Sequence, residues 1–444
     1  MDRLKSILNH FTAWPNTLLR FAKELWRELW VRVVVMGLVA IVALLLAQAI
    51  GHFLPEKMNG YISGKAADRL LSIIANAMLA VTTFSLTVMV TVYRSSSSQF
   101  TPRLHRLIIQ DPTTQNTLAA FIGAYVYALV AIILRELGVF ADERAAVLFI
   151  TTVLVLAYVV VSMIRWVLHL QTFGSLMDTT RQIEGITLKQ FEARLAKPCL
   201  GANPWTDDVS LPDGAEAVRA SETGYIQQYY EESLNEAAHE NNADVYLSAA
   251  VGKFVMKGEK IAYWVGRDGG PDDEKDMGEI VHSHIQIGDM RTYDQDPRFG
   301  LMVLGEIASK ALSPGINDPG TAIDVITRVA RILYGYKDET EVTDEPEHPH
   351  LWVRPLDPKD LIEDGYGALA RDGAALIEVQ QRLQSALSRL MQHDSAEMAE
   401  AAHIAAVLEF RRAKAALLFE PDIDRLRSST ARTVLKEVDG ETAQ

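Results

Sequence analysis

Four apolar stretches within the first 170 residues constrain this chain more than anything else in it. They run Trp30–Phe53, Ile73–Tyr93, Leu118–Leu134 and Ala145–Trp166. A helix crossing a bilayer needs about 20 mostly apolar residues, because each adds about 1.5 Å and the hydrocarbon is about 30 Å thick. No comparable run follows. The fold expected is α+β: a transmembrane domain of four helices, then an aqueous part of about 275 residues.

Charge divides at the same place. Residues 1–170 hold 15 Lys and Arg against 9 Asp and Glu, and the remainder holds 28 against 48. So acidic an aqueous part excludes nucleic acid as a partner of its bulk surface. The single Cys199 rules out an internal disulfide and fits a reducing compartment.

Residues 1–30 carry Leu4, Ile7, Leu8, Phe11, Leu18, Leu25 and Leu29 at helical spacing, with Lys5, Arg20, Lys23 and Arg27 among them. This predicts an amphipathic interfacial helix bent near Pro15. Ala47-Gln48-Ala49 resembles a leader cleavage site, but the region before it is too long for a usual leader, and an anchor is expected. Arg94, Arg103 and Arg106 lie between spans two and three, and Arg181, Lys189, Arg194 and Lys197 follow span four. With the basic N-terminal arm, this bias predicts a multi-pass protein of a bacterial inner membrane, with both termini and the middle loop cytoplasmic.

Span two is unusual. At 100° per residue, Ser72, Asn76, Ala80, Thr83, Thr87, Thr91 and Arg94 fall within an arc of about 100°. Such an edge either packs against neighbouring helices, with its hydroxyls bonded to carbonyls, or lines a wet path. Span three presents Ala120, Gly123, Ala124, Tyr127, Ala128 and Ala131, a small face suited to close helix approach. Arg135 and Glu136 mark its water boundary. Four serines, Ser95 to Ser98, are expected to end the second helix, and Thr101-Pro102 and Asp111-Pro112 to start new ones. Arg94, Arg103 and Arg106 there read either as a solvated hairpin or as a basic collar for a pore mouth or lipid headgroup.

A helix is expected over Asp178–Leu195, continuing span four, then a linker through Pro198, Gly201, Pro204 and Asp207-Asp208. Strands are predicted over Ala217–Ala220, Gly224–Tyr230, Ala243–Val251 and Phe254–Val265, and a helix over Glu231–Asn241. Gly252-Lys253-Phe254-Val255-Met256-Lys257-Gly258-Glu259-Lys260-Ile261 resembles the glycine-punctuated turn of biotinyl/lipoyl-like sandwiches. The modified-lysine hairpin of carrier domains is absent, so the resemblance implies a structural β-sandwich and no cofactor.

Gly288–Leu333 holds Arg291, Gln295-Asp296-Pro297 and Ser313-Pro314-Gly315-Ile316-Asn317-Asp318-Pro319. Asp318 before Pro319 is a strong helix start. One reading is a helix–turn–helix joint; the other is a polar site of Arg291, Gln295, Asp296, Asn317 and Asp318 for a cation or polar partner. Taken in order, "SSSSQFTPRL", "QDPRFGL" and "ALSPGINDPGTA" resemble a bacterial family of predicted integral membrane proteins catalogued as domain of unknown function 2254. The resemblance runs from about Arg32 to Leu333 and implies architecture and location, with no assigned chemistry.

After a charged loop the chain reads as helical from Pro358, with rows such as Leu383, Leu387 and Leu390 and further helices over Ala399–Phe419 and Pro421–Val438. The expected domains are an interfacial helix (1–30), transmembrane domain (31–170), connector (171–205), β-rich module (206–290), helix–turn–helix (291–336), loop (337–357) and C-terminal helical bundle (358–444). His282 and His284 would share a strand face, and His348 and His350 lie in the loop; neither pair makes a metal motif, and no nucleotide or hydrolase motif occurs. The sequence therefore predicts no catalytic residue, metal or cofactor. It favours a homo-oligomeric ion channel or transport protein, partnered by lipid and by a small ion or cytoplasmic ligand. A membrane-anchored sensor or scaffold is the alternative, and a membrane enzyme ranks last.

Overall fold

In the computed structural model, residues 29–50, 64–99, 101–109, 111–138, 145–267, 277–341 and 345–441 are described. The chain forms two units, Met1–Asp178 and Thr179–Gln444. The interfacial helix expected over 1–30 lies outside the described residues except at Leu29 and Trp30, as do Lys57 and Arg144 of the outer loops.

The first unit is built from α1 (Leu29–Ile50), α2 (Gly64–Gln99), α3 (Pro102–Ile109), α4 (Pro112–Glu136) and α5 (Ala145–Leu170). Three helical stretches, Gly64–Ser96, Pro112–Glu136 and Val147–Leu170, are long and apolar enough to cross a membrane; α1 contributes a shorter apolar run, Trp30–Leu46. Helix α4 is the central one, touching α1, α2 and α5. Its small face does this: Ala120, Ala124, Ala128 and Ala131 are buried, and a Cβ on Gly123 would lie 3.0 Å from Met36 Cβ. Without a hydrophobic drive between helices in lipid, such close van der Waals contact is what holds them. Asp68 on α2 pairs with Arg135 on α4 at 2.7 Å, at the end of the bundle where the sequence placed the water boundary.

Two expectations are corrected here. Helix α2 does not stop at its serines but runs through Gln99, because Ser96 bonds back to the Tyr93 carbonyl (3.0 Å) and to His105 Nδ1 (2.8 Å). Nor does α5 continue into the next helix. The chain turns over Gln171–Gly174, with Gly174 at φ +79°, before α6 (Leu176–Ala196) begins.

After α6 comes a tight turn over Pro198–Gly201. The second unit then adds β1 (Ala202–Pro204), β2 (Glu216–Arg219), β3 (Gly224–Tyr229), α7 (Glu231–Glu240), β4 (Ala243–Leu247), β5 (Phe254–Val255), β6 (Lys260–Gly266), α8 (Met277–Ser283) and β7 (Ile285–Gly288). Next are α9 (Pro297–Ala311), α10 (Pro319–Leu333), β8 (His348–Val353), α11 (Pro358–Ile362), α12 (Ala368–Asp372), α13 (Ile377–Leu390), α14 (Ala396–Ala416), α15 (Glu420–Ser429) and α16 (Arg432–Glu441). The strands form a five-stranded sheet, β1-β8-β4-β6-β2, and a three-stranded sheet, β5-β3-β7. Val218, Val245, Leu247, Ile261 and Leu351 from the first share one core with Ile226, Val255 and Ile285 from the second.

The loop expected over 337–357 therefore contains a central strand. β8 pairs in parallel with both β1 and β4. Pro349 has no N–H to give the ladder and sits at a bulge, where Asn203 Nδ2 donates to the carbonyls of Pro349 and Leu351. The linker expected at Pro198–Pro204 is likewise ordered: Cys199, Leu200 and Gly201 are buried at positive φ. Glu339 fixes both segments. Its buried carboxylate accepts from Arg194 at 2.5 and 3.0 Å, from Cys199 N at 3.0 Å and from Leu356 N at 2.6 Å. The last predicted helix is two, α15 and α16, separated at Thr430-Ala431.

Replacing Gly123 with Leu should force α1 and α4 apart and lower the stability of the first unit by about 1–3 kcal/mol. Thermal unfolding in detergent reads this. An unchanged midpoint would mean that α1 does not seat on α4 through this contact.

Candidate functional site

In the first unit the polar edge of α2 faces outward. Ser72, Asn76, Thr83, Thr87, Thr91 and Arg94 are all exposed, while Leu71, Ile74, Met78, Ser85 and Met89 on the opposite side are buried. No described part of the same chain covers the edge. Thr83, Thr87 and Thr91 donate their hydroxyls to the carbonyls of Leu79, Thr83 and Thr87, at 2.9, 2.9 and 2.8 Å. Their donors are therefore satisfied within the helix, leaving oxygen lone pairs on the surface. Exposed Ile73 and Val90 border the row.

Arg94 and Arg103 are both exposed near one end of α2; the Arg106 side chain lies outside the described residues. Helix α3 buries Leu104 and Ile108 beside α2, and Tyr93 donates its hydroxyl to the Ile109 carbonyl at 3.2 Å.

In the second unit, Arg291 grips Asp296 with two bonds, Nε to Oδ2 at 2.9 Å and Nη2 to Oδ1 at 3.0 Å. Asp296 also accepts from Phe299 N at 3.0 Å and so caps α9. Burial pushes the Asp296 carboxyl up, against the opposing pull of Arg291 and the Phe299 N–H. The pair rests on Gly252, where φ is +86° and a Cβ would lie 2.2 Å from Asp296 Oδ2. The glycine-punctuated turn thus seats the ion pair. Gln295, at φ +55°, accepts from Tyr229 N (3.0 Å) and donates to Tyr229 O (3.1 Å) and to Glu231 (2.9 Å). Beside Asp296 opens a cleft of about 560 Å³, lined among others by Trp205, Gln295, Arg298, Arg354, Asp360 and Glu397. That volume suits a small-molecule ligand.

The model of the family described as predicted membrane protein (DUF2254) matches residues 26–389. The chain belongs to this family. Uncharacterised proteins of Mycobacterium bovis and Mycobacterium tuberculosis are each 29% identical over 253 residues, which is 56% of this chain and 48% of each relative. The chain thus spans about half the length of the curated relatives it matches. No solved structure matches it.

In this family member the five residues of the expected polar site separate. Arg291, Gln295 and Asp296 gather at the start of α9. Asn317 and Asp318 lie past its other end, where Asp318 N donates to Ala311 O at 2.8 Å; 15 helical residues put roughly 20 Å between the two groups. Asn317 (φ +51°) and Asp318 make the helix–turn–helix joint instead: Asp318 accepts from Thr321 N (3.1 Å) and from its hydroxyl (2.6 Å). These bonds hold the Asp318 carboxyl below its ordinary range.

The histidine pairs also separate. His282 lies in the last turn of α8 and not on a strand, His284 precedes β7, and His350 stacks on His239. Among the described residues no cluster of three or more His, Cys, Asp or Glu could hold a metal.

Sequence reasoning missed a second polar cluster in the first unit, around Asp111 and His169, whose carboxylate and ring nitrogen lie 2.9 Å apart. Asp111-Pro112 is visible as a helix start, but nothing marked His169 as its partner, 58 residues away.

Arg291→Met leaves a buried carboxylate without its cation and should cost about 3–5 kcal/mol, against about 1 kcal/mol for Asp318→Ala. Both penalties shrink in acid, the Arg291→Met one over a higher pH range than the Asp318→Ala one. The Arg291→Met penalty shrinks as pH falls and Asp296 takes up a proton. The stabilisation from Asp318, whose folded carboxyl is the stronger acid, is present at neutral pH and lost as pH falls through its depressed range. Unfolding of the full chain in detergent across pH checks both ranges.

Proposed function

We propose that this protein is a homo-oligomeric ion channel or transport protein of a bacterial inner membrane, with four spanning helices, cytoplasmic termini and a cytoplasmic second unit that regulates it. The outward polar edge of α2 carries the reading. Copies meeting along Ser72, Asn76, Thr83, Thr87 and Thr91 would surround a hydrated path and remove that edge from lipid. Arg94 and Arg103 would give the path a basic mouth, where they attract anions and anionic headgroups. The cleft beside Asp296 is where a cytoplasmic ligand would act on the second unit.

The back-bonded threonines favour a second reading. A hydroxyl bonded to its own helix tolerates lipid, so the first unit would then only anchor a cytoplasmic sensor or scaffold.

Single cysteines separate the two. Burial pushes the thiol of Cys199 up to about 12, so the native chain gives little background with thiol reagents. A channel predicts that Thr83→Cys and Thr87→Cys react with a water-borne, membrane-impermeant thiosulfonate far faster than Leu154→Cys on α5. It also predicts that Thr83→Leu and Thr87→Leu reduce ion flux in proteoliposomes. Equally slow labelling at all three positions, with no flux in the wild type, would leave the scaffold.

A further inference from the structure

At one end of the first unit, polar and aromatic side chains tie five helices together. Asp111, 7% exposed, accepts from Thr114 N (2.7 Å), from the Thr114 hydroxyl (2.6 Å) and from His169 Nε2 (2.9 Å). His169 lies in the last turn of α5, and its ring packs against Trp166 and Phe173 with centroids 6.0 and 5.2 Å away. Phe173 in turn meets Tyr93 of α2 at 6.3 Å, and Tyr93 meets His105 of α3 at 6.2 Å. From α1, Arg32 donates to Pro112 O (3.3 Å) and Asn116 Oδ1 (2.9 Å). The chain leaves the membrane unit through the turn that follows His169. That turn is pressed onto α2, since a Cβ on Gly174 would lie 2.7 Å from Val92 Cγ1.

Asp111, the cap of α4, is the charged group in contact with His169; Arg32 of α1 bonds the Pro112 carbonyl next to it, and Tyr93 of α2 and His105 of α3 connect to the His169 ring through Phe173. Histidine is the side chain whose charge ordinarily changes between about pH 5 and 8. Two further polar atoms in this cluster, Gln115 Oε1 and Trp166 Nε1, are buried without a protein partner among the described residues.

We propose that Asp111 and His169 form a proton-responsive latch on the exit turn of α5. A proton taken from solution by the imidazole turns a hydrogen bond between a neutral ring and a carboxylate into an ion pair. That pair holds the end of α5 to the capped start of α4, and the turn to α2. Losing the proton leaves the weaker bond and loosens the turn. The latch stands whether or not α2 lines a path.

The turn carries its own reporters: the amides of Thr172 and Phe173 donate to the His169 carbonyl at 3.1 and 2.9 Å, and Ser175 N donates to Thr172 O at 2.9 Å. Hydrogen exchange of these amides in nanodiscs, corrected for the intrinsic effect of pH, is the test. Protection should be several-fold greater near pH 5.5 than near pH 8, since protonation adds the Coulomb attraction of an ion pair to a bond whose acceptor is already a carboxylate. His169→Gln should abolish the difference. Asp111→Asn, which keeps the helix cap, should give the weaker protection at both pH values, and His105→Gln should retain the wild-type response. Wild-type protection that ignores pH, or a response that survives in His169→Gln or Asp111→Asn, overturns the latch.

Discussion

The first unit depends on how closely α4 lets its neighbours approach. Lipid offers helices no hydrophobic reason to associate and no partner for a stray polar group. Gly123 against Met36, with the buried alanines along the same face, supplies the packing. That face is thereby occupied within one chain and is not available to a second copy. The edge of α2 that carries Asn76 and the threonines faces outward, beside the apolar outer faces of α1 and α5. The same arrangement that makes the bundle makes its most polar helix edge a boundary.

The second unit solves a different problem, the closing of a sheet around a strand that arrives late in the sequence. β8 enters between β1 and β4 carrying a proline, and Asn203 bridges the resulting bulge. Glu339 then draws Arg194, the Cys199 turn and Leu356 onto one buried carboxylate. Such a charge is tolerable only because four donors surround it. A further pairing, Glu184 with Arg328 and Arg331, joins α6 to α10.

These features explain which parts of the chain were legible from its residues alone. Apolar run length revealed three helices long and apolar enough to cross a membrane, because a bilayer imposes a length. Glycines and β-branched residues revealed β2, β3 and β4, because turns and strands are local matters, but the single strand expected over Phe254–Val265 is two, β5 and β6, in different sheets. The caps at Asp296 and Asp318 were legible for the same reason, as each acts on a residue three positions on. β8 was not, because its partners lie roughly 100 to 150 residues earlier and its Pro349 and flanking charges look like a loop. The Asp111–His169 contact and the grouping of Arg291 with Gly252 are equally non-local. Reading Asn317 and Asp318 into the Arg291 site failed because nearness in sequence was taken for nearness in space, and a helix of 15 residues intervenes.

All of this makes the surroundings of α2 the central matter: the account holds that its threonine edge meets water shared between copies. A structure of the protein assembled in lipid nanodiscs tests that most directly. The account predicts several chains about one axis, with Thr83 and Thr87 turned toward a water-filled centre. Finding those side chains against acyl chains, on a single chain or on the outside of an assembly, would contradict it.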